Sequence, residues 1–404
     1  MLKSTPGALF MVYLSLLSML GFLSTDMYLP AFYQIEQTFH ASAQMTSLSL
    51  SIFIAGLTLG QLLYGKLVYY KGNRNSLLIG LTVFLLSTFS ICWVEQSSLF
   101  IICRFFQGVG ASSASVIWQS IVMERYDDQQ SKKIFATIMP LVALSPALAP
   151  LLGTYILQVN HWHYIFITLG GVAAFLFLST LQLAKVTPSL SQQEQKQSYK
   201  AWNMLTHPVY MNYVFIFSGC SALFFAYLTG WPQIMKTFGF SENEIGLSFI
   251  PQTIMFILGG SLNKFLSERI NSDKLLWSLL SLIFVSFTIM LTLYFWVQPY
   301  SLFFLMVPFC FIALANGAIY PLVVYRALRV FPHNTAQAAG LQNFLQLSIC
   351  TLSSCLVSYY ALSPLIAVLG VMSLFALFVG VNMFCHVKMN KLNSVMESQT
   401  KQLI

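Results

Sequence analysis

Charge is what this chain has least of: Asp, Glu, Lys and Arg together make up 8% of its 404 residues. A soluble domain carries about 25%, so the charges are too few to tile a water-facing surface. Disorder is excluded for the opposite reason, since disordered chains are polar and charge-rich. Signatures of nucleotide and hydrolytic chemistry are missing as well. No P-loop, GxGxxG, HExxH or serine-nucleophile elbow occurs, which disfavours nucleotide hydrolysis as an energy source. The seven cysteines form no CxxC pair and no Cys/His cluster, and all fall in or beside apolar segments, as small core hydrophobes do. No cofactor and no metal site is expected. What is present is apolar: 57% hydrophobic and 15% aromatic residues, with a mean hydropathy of +0.72. That composition belongs to a polytopic membrane protein.

A hydrocarbon core of about 30 Å needs roughly 20 apolar residues per helix. In that unit, spans are expected near 8–30, 45–66, 76–94, 98–122, 134–158 and 162–184, and again near 209–234, 243–263, 275–297, 301–326, 335–360 and 364–387. The first stretch runs past Leu23 without a small-residue cleavage site, so it reads as a span rather than a signal peptide. The expected architecture is all-α. It has twelve transmembrane helices in an N-terminal bundle (1–184) and a C-terminal bundle with a short tail (209–404), joined by a polar linker (185–208).

Lys and Arg fix the orientation. With the N-terminus inside, all but two of the 20 basic residues fall in cytoplasmic segments. The exceptions are Lys236, in an outer loop, and Arg104, inside a span. Both termini are therefore expected in the cytoplasm, and the net charge of +8 reflects membrane topology rather than nucleic-acid binding. A faint internal match sets Leu59–Leu63 against Leu258–Leu262, as two parallel six-helix repeats would.

Every acidic residue but one falls in a loop or at a helix end; the exception is Asp26, in the outer half of the first span. A carboxylate in the bilayer costs at least about 2.5–3.5 kcal/mol, so it usually faces a cavity and serves a function. Burial disfavours its charged form, which lets exposure switch proton binding. The bland alternative is an interfacial acid that caps the turn before Pro30. Arg104 cannot readily shed its proton and must find carbonyls, a carboxylate or water. Its bland reading is a buried Arg satisfied by neighbouring carbonyls, and Gly108, Gly110 and Ala111 beside it allow close backbone approach.

The fifth span holds Pro140, Pro146 and Pro150, followed by Gly153, a pattern suited to a bent gating helix. Polar candidates for a ligand cavity are Gln252, Asn316, Gln342, Asn343 and Gln346. Aromatic candidates are Tyr28, Trp118, Phe224, Phe225, Tyr227 and Trp231, although most aromatic residues in such a chain face lipid or core. His161 and His163 flank Trp162 and read as interface anchors rather than metal ligands.

With these residues in view, the chain resembles the major facilitator superfamily over essentially its full length. Within that family it resembles the bicyclomycin-resistance/CflA group of proton-coupled transporters. Thr25-Asp26-Met27-Tyr28-Leu29-Pro30-Ala31 is similar to that group's first-helix signature. Arg104-Phe105-Phe106-Gln107-Gly108 is similar to its fourth-helix motif, and Ala149-Pro150-Leu151-Leu152-Gly153-Thr154 to the antiporter motif of helix five. Pro251-Gln252-Thr253, Ala315 to Pro321 and Phe331-Pro332-His333 are closest to the purine-transporting branch of enteric bacteria. One departure stands out in the loop motif that runs through Gly65, Tyr69, Gly72 and Arg74. Tyr69 and Tyr70 replace the family's Asp and Arg, of which the Asp helps latch the cytoplasmic side shut.

The resemblance implies a non-enzymatic, proton-coupled carrier in a bacterial inner membrane, working as a monomer by alternating access. Its partners would be protons, a small organic substrate and the lipid bilayer, with no nucleic acid. Asp26 and Arg104 would couple the proton, and the substrate would be a purine or a drug-like compound. A polytopic membrane enzyme would need a second catalytic residue at matching depth, and a channel would need rings of like charge; neither is found in the sequence.

Overall fold

The computed structural model describes residues 7–41, 43–183, 201–240, 242–267, 269–296, 302–360 and 363–402. Thirteen α-helices make up these segments. The first six are α1 (Ala8–Asp26), α2 (Phe32–Phe39), α3 (Ala43–Ile91), α4 (Ser97–Arg125), α5 (Asp128–Val159) and α6 (His163–Leu181). They are followed by α7 (Ala201–Leu205), α8 (Pro208–Thr237), α9 (Glu242–Leu266), α10 (Ser272–Trp296) and α11 (Phe303–Arg329). The last two are α12 (Thr335–Tyr359) and α13 (Pro364–Gln402). The chain divides into two compact units. One comprises Met1–Tyr199 with Phe331–Phe344; the other comprises Lys200–Val330 with Leu345–Ile404. Most of the linker expected at 185–208 lies outside the described residues; α7 occupies its end.

Eight stretches among the described residues are long and apolar enough to cross a membrane, the first being Ala8–Phe39. The chain is a multi-pass membrane protein. α5, α9 and α12 are not among the eight, and they carry many of the prolines and amides singled out above; α5 contributes the shorter apolar stretch Leu148–Val159.

The elements follow from local chemistry. α5 starts at Asp127, whose carboxylate accepts from the Gln130 amide at 2.8 Å and so satisfies one orphan N–H. α8 starts with Pro208 at its first position, where a missing N–H costs nothing. α3 contains both the second and third expected spans, broken only at Gly72, whose φ of 73° is cheap for glycine alone. α1 stops at Asp26 because the donor that would close its next turn belongs to Pro30, which has no N–H. A 3₁₀ turn (Leu29–Ala31) and the short α2 follow, a helix absent from the sequence-based expectation. Glu36 on α2 accepts from the Thr46 hydroxyl at 2.8 Å, which ties it to α3.

Each unit contains a reciprocal glycine seam between corresponding helices. In the first, a Cβ on Gly56 of α3 would sit 2.2 Å from the Phe105 carbonyl oxygen, and one on Gly108 of α4 would sit 2.1 Å from that of Phe53. In the second, a Cβ on Gly259 of α9 would sit 1.9 Å from the Leu314 oxygen, and one on Gly317 of α11 would sit 2.0 Å from that of Phe256. Only residues without side chains let two helices approach this closely. The seams make Gly259 the counterpart of Gly56. The string match at Gly60 is therefore one helical turn out of register, and Gly60 instead packs against Ser112.

Candidate functional site

The first unit is built around Arg104, which is fully buried on α4. Both of its terminal nitrogens donate to the Ser24 carbonyl at 3.2 Å, and one also donates to the Gln107 side-chain oxygen. Gln107 in turn donates to the Thr88 hydroxyl at 2.8 Å. The guanidinium lies 4.0 Å from the ring centroid of Tyr28, just past the end of α1, and 4.3 Å from that of Phe53 on α3. Desolvated cation–π contacts of this kind are worth about 2 kcal/mol or more. The Nε of Arg104 has no partner. A guanidinium held by carbonyl and amide oxygens with no carboxylate between them keeps a full positive charge inside the helix bundle.

Asp26 sits two residues past Ser24, at the last position of α1, and is half-buried. Among the described residues its carboxylate makes no hydrogen bond and no ion pair. The turn that carries it is held from several sides. The hydroxyls of Ser24 and Thr25 bond back to Leu20 and Gly21 at 2.7 and 2.8 Å, which satisfies them without water. The Tyr28 hydroxyl meets Ser49 on α3 at 3.1 Å. On the α5 side, a Cβ on Gly153 would lie 1.9 Å from the Met27 carbonyl oxygen. Lower down α1, Tyr13 pairs with Thr180 of α6 at 2.8 Å. Arg104 and Asp26 thus share one turn of α1 without touching through their charged groups.

α5 runs as one helix through Pro140 and Pro150, with Pro140 buried; the Pro146 side chain lies outside the described residues. Trp118 is buried against Phe135, centroids 5.0 Å apart. At the loop motif, Gly65 lets α3 approach the start of α12: its Cβ would lie 2.9 Å from the Ala336 oxygen, and a Cβ on Gly340 would lie 2.3 Å from that of Gln61. Tyr69 and Tyr70 meet edge to face at 5.1 Å, with Tyr70 exposed. Asn73 donates to Glu124 at 2.6 Å and Arg74 to the Leu181 carbonyl at 3.1 Å, which fastens the Gly72 break to the ends of α4 and α6. His163 stacks on Trp162 at 3.8 Å, and the buried Trp162 indole donates to Thr38 at 3.0 Å.

The aromatic candidates of the second unit stack on one another. Tyr227 lies between Trp231 (4.8 Å) and Phe309 (3.4 Å), and Phe309 also meets Phe224 at 5.2 Å. The Trp231 indole donates to Ser248 at 2.8 Å. Asn316 is fully buried; its amide nitrogen donates to the Cys220 carbonyl at 3.4 Å while its oxygen is unpartnered. Gln252 is buried, and Gln346 is half-buried with a weak contact to Cys350 at 3.8 Å. Gln342, which groups with the first unit, is fully buried with neither end of its amide paired, and Asn343 next to it is half-buried. Sequence reasoning missed Ser24, Phe53, Thr88, Phe309 and Ser248. A backbone carbonyl or one Phe among 35 leaves no mark in a sequence.

The profile of the Major Facilitator Superfamily matches residues 14–354. The chain is 31% identical over 246 residues to an uncharacterized MFS-type transporter, YdgK, of Bacillus subtilis, a match covering 58% of this chain and 60% of that one. It is 25% identical to a bicyclomycin resistance protein homolog of Haemophilus influenzae, covering 71% and 75%. To the multidrug resistance protein MdtL of Klebsiella pneumoniae it is 25% identical, covering 55% and 57%. The matched region thus spans less than two thirds of two of these three relatives. Among solved structures, the proton:xylose symporter XylE superposes with a TM-score of 0.74 at 15% identity, covering 96% of both chains, a likeness of fold.

Proposed function

The chain belongs to the major facilitator superfamily, and from that premise we propose that it is a proton-coupled secondary transporter of a small organic molecule. It works by alternating access, with twelve spans and both termini in the cytoplasm of a bacterial inner membrane. The observation that carries this reading is Asp26: an acid at the end of an apolar helix, half-buried and without a protein partner. A carboxylate placed so is costly in either environment, and binding or losing a proton with exposure is its simplest use. Arg104, reaching from α4 to the Ser24 carbonyl on the same turn, is the fixed positive charge beside that acid. The names of the relatives, bicyclomycin and multidrug resistance, support export of drug-like compounds. A polytopic enzyme finds no support in them.

A second substrate reading, a purine base or nucleoside, is favoured by Gln342. Its amide offers a donor and an acceptor that the protein leaves unpaired, the edge chemistry that a flat heterocycle needs. Purified protein in liposomes with an imposed pH gradient separates these readings. Uphill movement of a labelled drug or a labelled purine, collapsing when the gradient is dissipated, is the expected result. Gradient-independent flux of every compound would overturn the coupling.

A further inference from the structure

We infer that Gly153 is a positioning residue for Asp26, acting through the backbone of Met27 rather than through a bend in α5. This rests on the reading of Asp26 given above only for its consequence, not for its geometry. The Met27 carbonyl is seated in the notch left by the missing side chain of Gly153, where a Cβ would come within 1.9 Å of its oxygen. A glycine facing a carbonyl so closely presents its Cα to the acceptor, the arrangement of a Cα–H···O contact. The neighbouring carbonyls explain why the turn needs outside support. The Asp26 carbonyl has lost its helical donor because residue 30 is proline. The amide of Ala31, which would have closed onto Met27, bonds to Tyr28 instead at 2.9 Å.

The end of α1 is therefore fixed mainly from outside. Arg104 grips the Ser24 carbonyl and stacks on Tyr28 from the α4 side, and Gly153 receives Met27 from the α5 side. Asp26 lies between these anchor points with no bond of its own, so its environment is set by where the two helices hold its backbone. Other charged or titratable groups near this turn include Tyr28 within it, Tyr33, Glu36 and His40 on and after α2, Tyr155 on α5, and His163 and Tyr164 on α6. α3 presents Ser49 and Phe53 to it, neither of them charged.

The test reads the Asp26 carboxyl directly, by infrared difference titration of the purified protein in nanodiscs, with the Asp26→Asn spectrum identifying the band. Gly153→Ala should move the titration midpoint by about half a pH unit or more. Gly171→Ala on α6, where a Cβ meets nothing within 4 Å, should leave it in place. Pro30→Ala is the second variant. It restores the missing donor at an exposed position, should also move the midpoint, and decides the matter if Gly153→Ala does not fold. An unchanged midpoint in Gly153→Ala, or in Pro30→Ala where Gly153→Ala does not fold, overturns the inference. Because the readout is a titration rather than transport, a failure of proton coupling in liposomes would leave this result standing and be recognised as a separate failure.

Discussion

Arg104 gives both of its terminal nitrogens to a single backbone oxygen, that of Ser24, at 3.2 Å each. A buried cation held by a carbonyl keeps its charge whether or not a nearby acid is protonated, whereas one paired with a carboxylate would lose its partner on protonation. The arrangement therefore separates the fixed charge from the switchable one.

That separation gives the first prediction. Asp26→Asn removes the switch and leaves the anchor, so gradient-driven accumulation in proteoliposomes should be abolished while substrate exchange and expression persist. Wild-type accumulation in the variant would remove Asp26 from the mechanism.

Arg104→Lys keeps the charge but loses the two-pronged grip and the flat face stacked on Tyr28 and Phe53. Loss of charged hydrogen bonds and stacking should destabilise the protein by about 2–3 kcal/mol, visible as a lowered melting temperature in detergent. A melting curve identical to wild type would mean that these contacts contribute little.

Gly108→Ala and Gly317→Ala should destabilise to similar extents, because each added methyl would meet a backbone oxygen at about the same forbidden distance. Overpacking of this kind costs about 1–3 kcal/mol. Equal melting of either variant and Gly171→Ala would show that the seams yield without strain.

Gln342→Met replaces an unpaired buried amide by an apolar side chain of similar size. It should raise stability by about 1 kcal/mol and at the same time weaken binding of the transported compound, measured by calorimetric titration. Increased stability with unchanged affinity would make Gln342 a structural leftover rather than a ligand contact.

Helix positions were legible in the sequence because a bilayer demands long apolar runs, and expected spans such as 98–122 and 209–234 fall within a few residues of α4 and α8. Asp26 and Arg104 were legible for the complementary reason: an ionisable group stands out in an apolar run. Their separation was not, since the partner of Arg104 is a main-chain atom. Repeat register was misread by one turn because Leu- and Gly-rich strings match themselves equally well when shifted along a helix; only the meeting of Gly259 with Leu314 and of Gly56 with Phe105 fixes it. Phe309, which completes the stack with Tyr227 and Trp231, was hidden by abundance. α2 was overlooked because eight residues make too short a pattern to distinguish from a loop.

The glycine seams have a mechanical consequence. In α3 with α4, and again in α9 with α11, each helix both receives a ridge of its neighbour and intrudes into it. Two rods keyed into one another from both sides resist sliding and axial rotation, and they can only travel together. Each such pair is a stiff two-ply beam. At the Asp26 turn the keying is one-sided: α5 meets Met27 through the single notch at Gly153, so movement at that turn is left to α5.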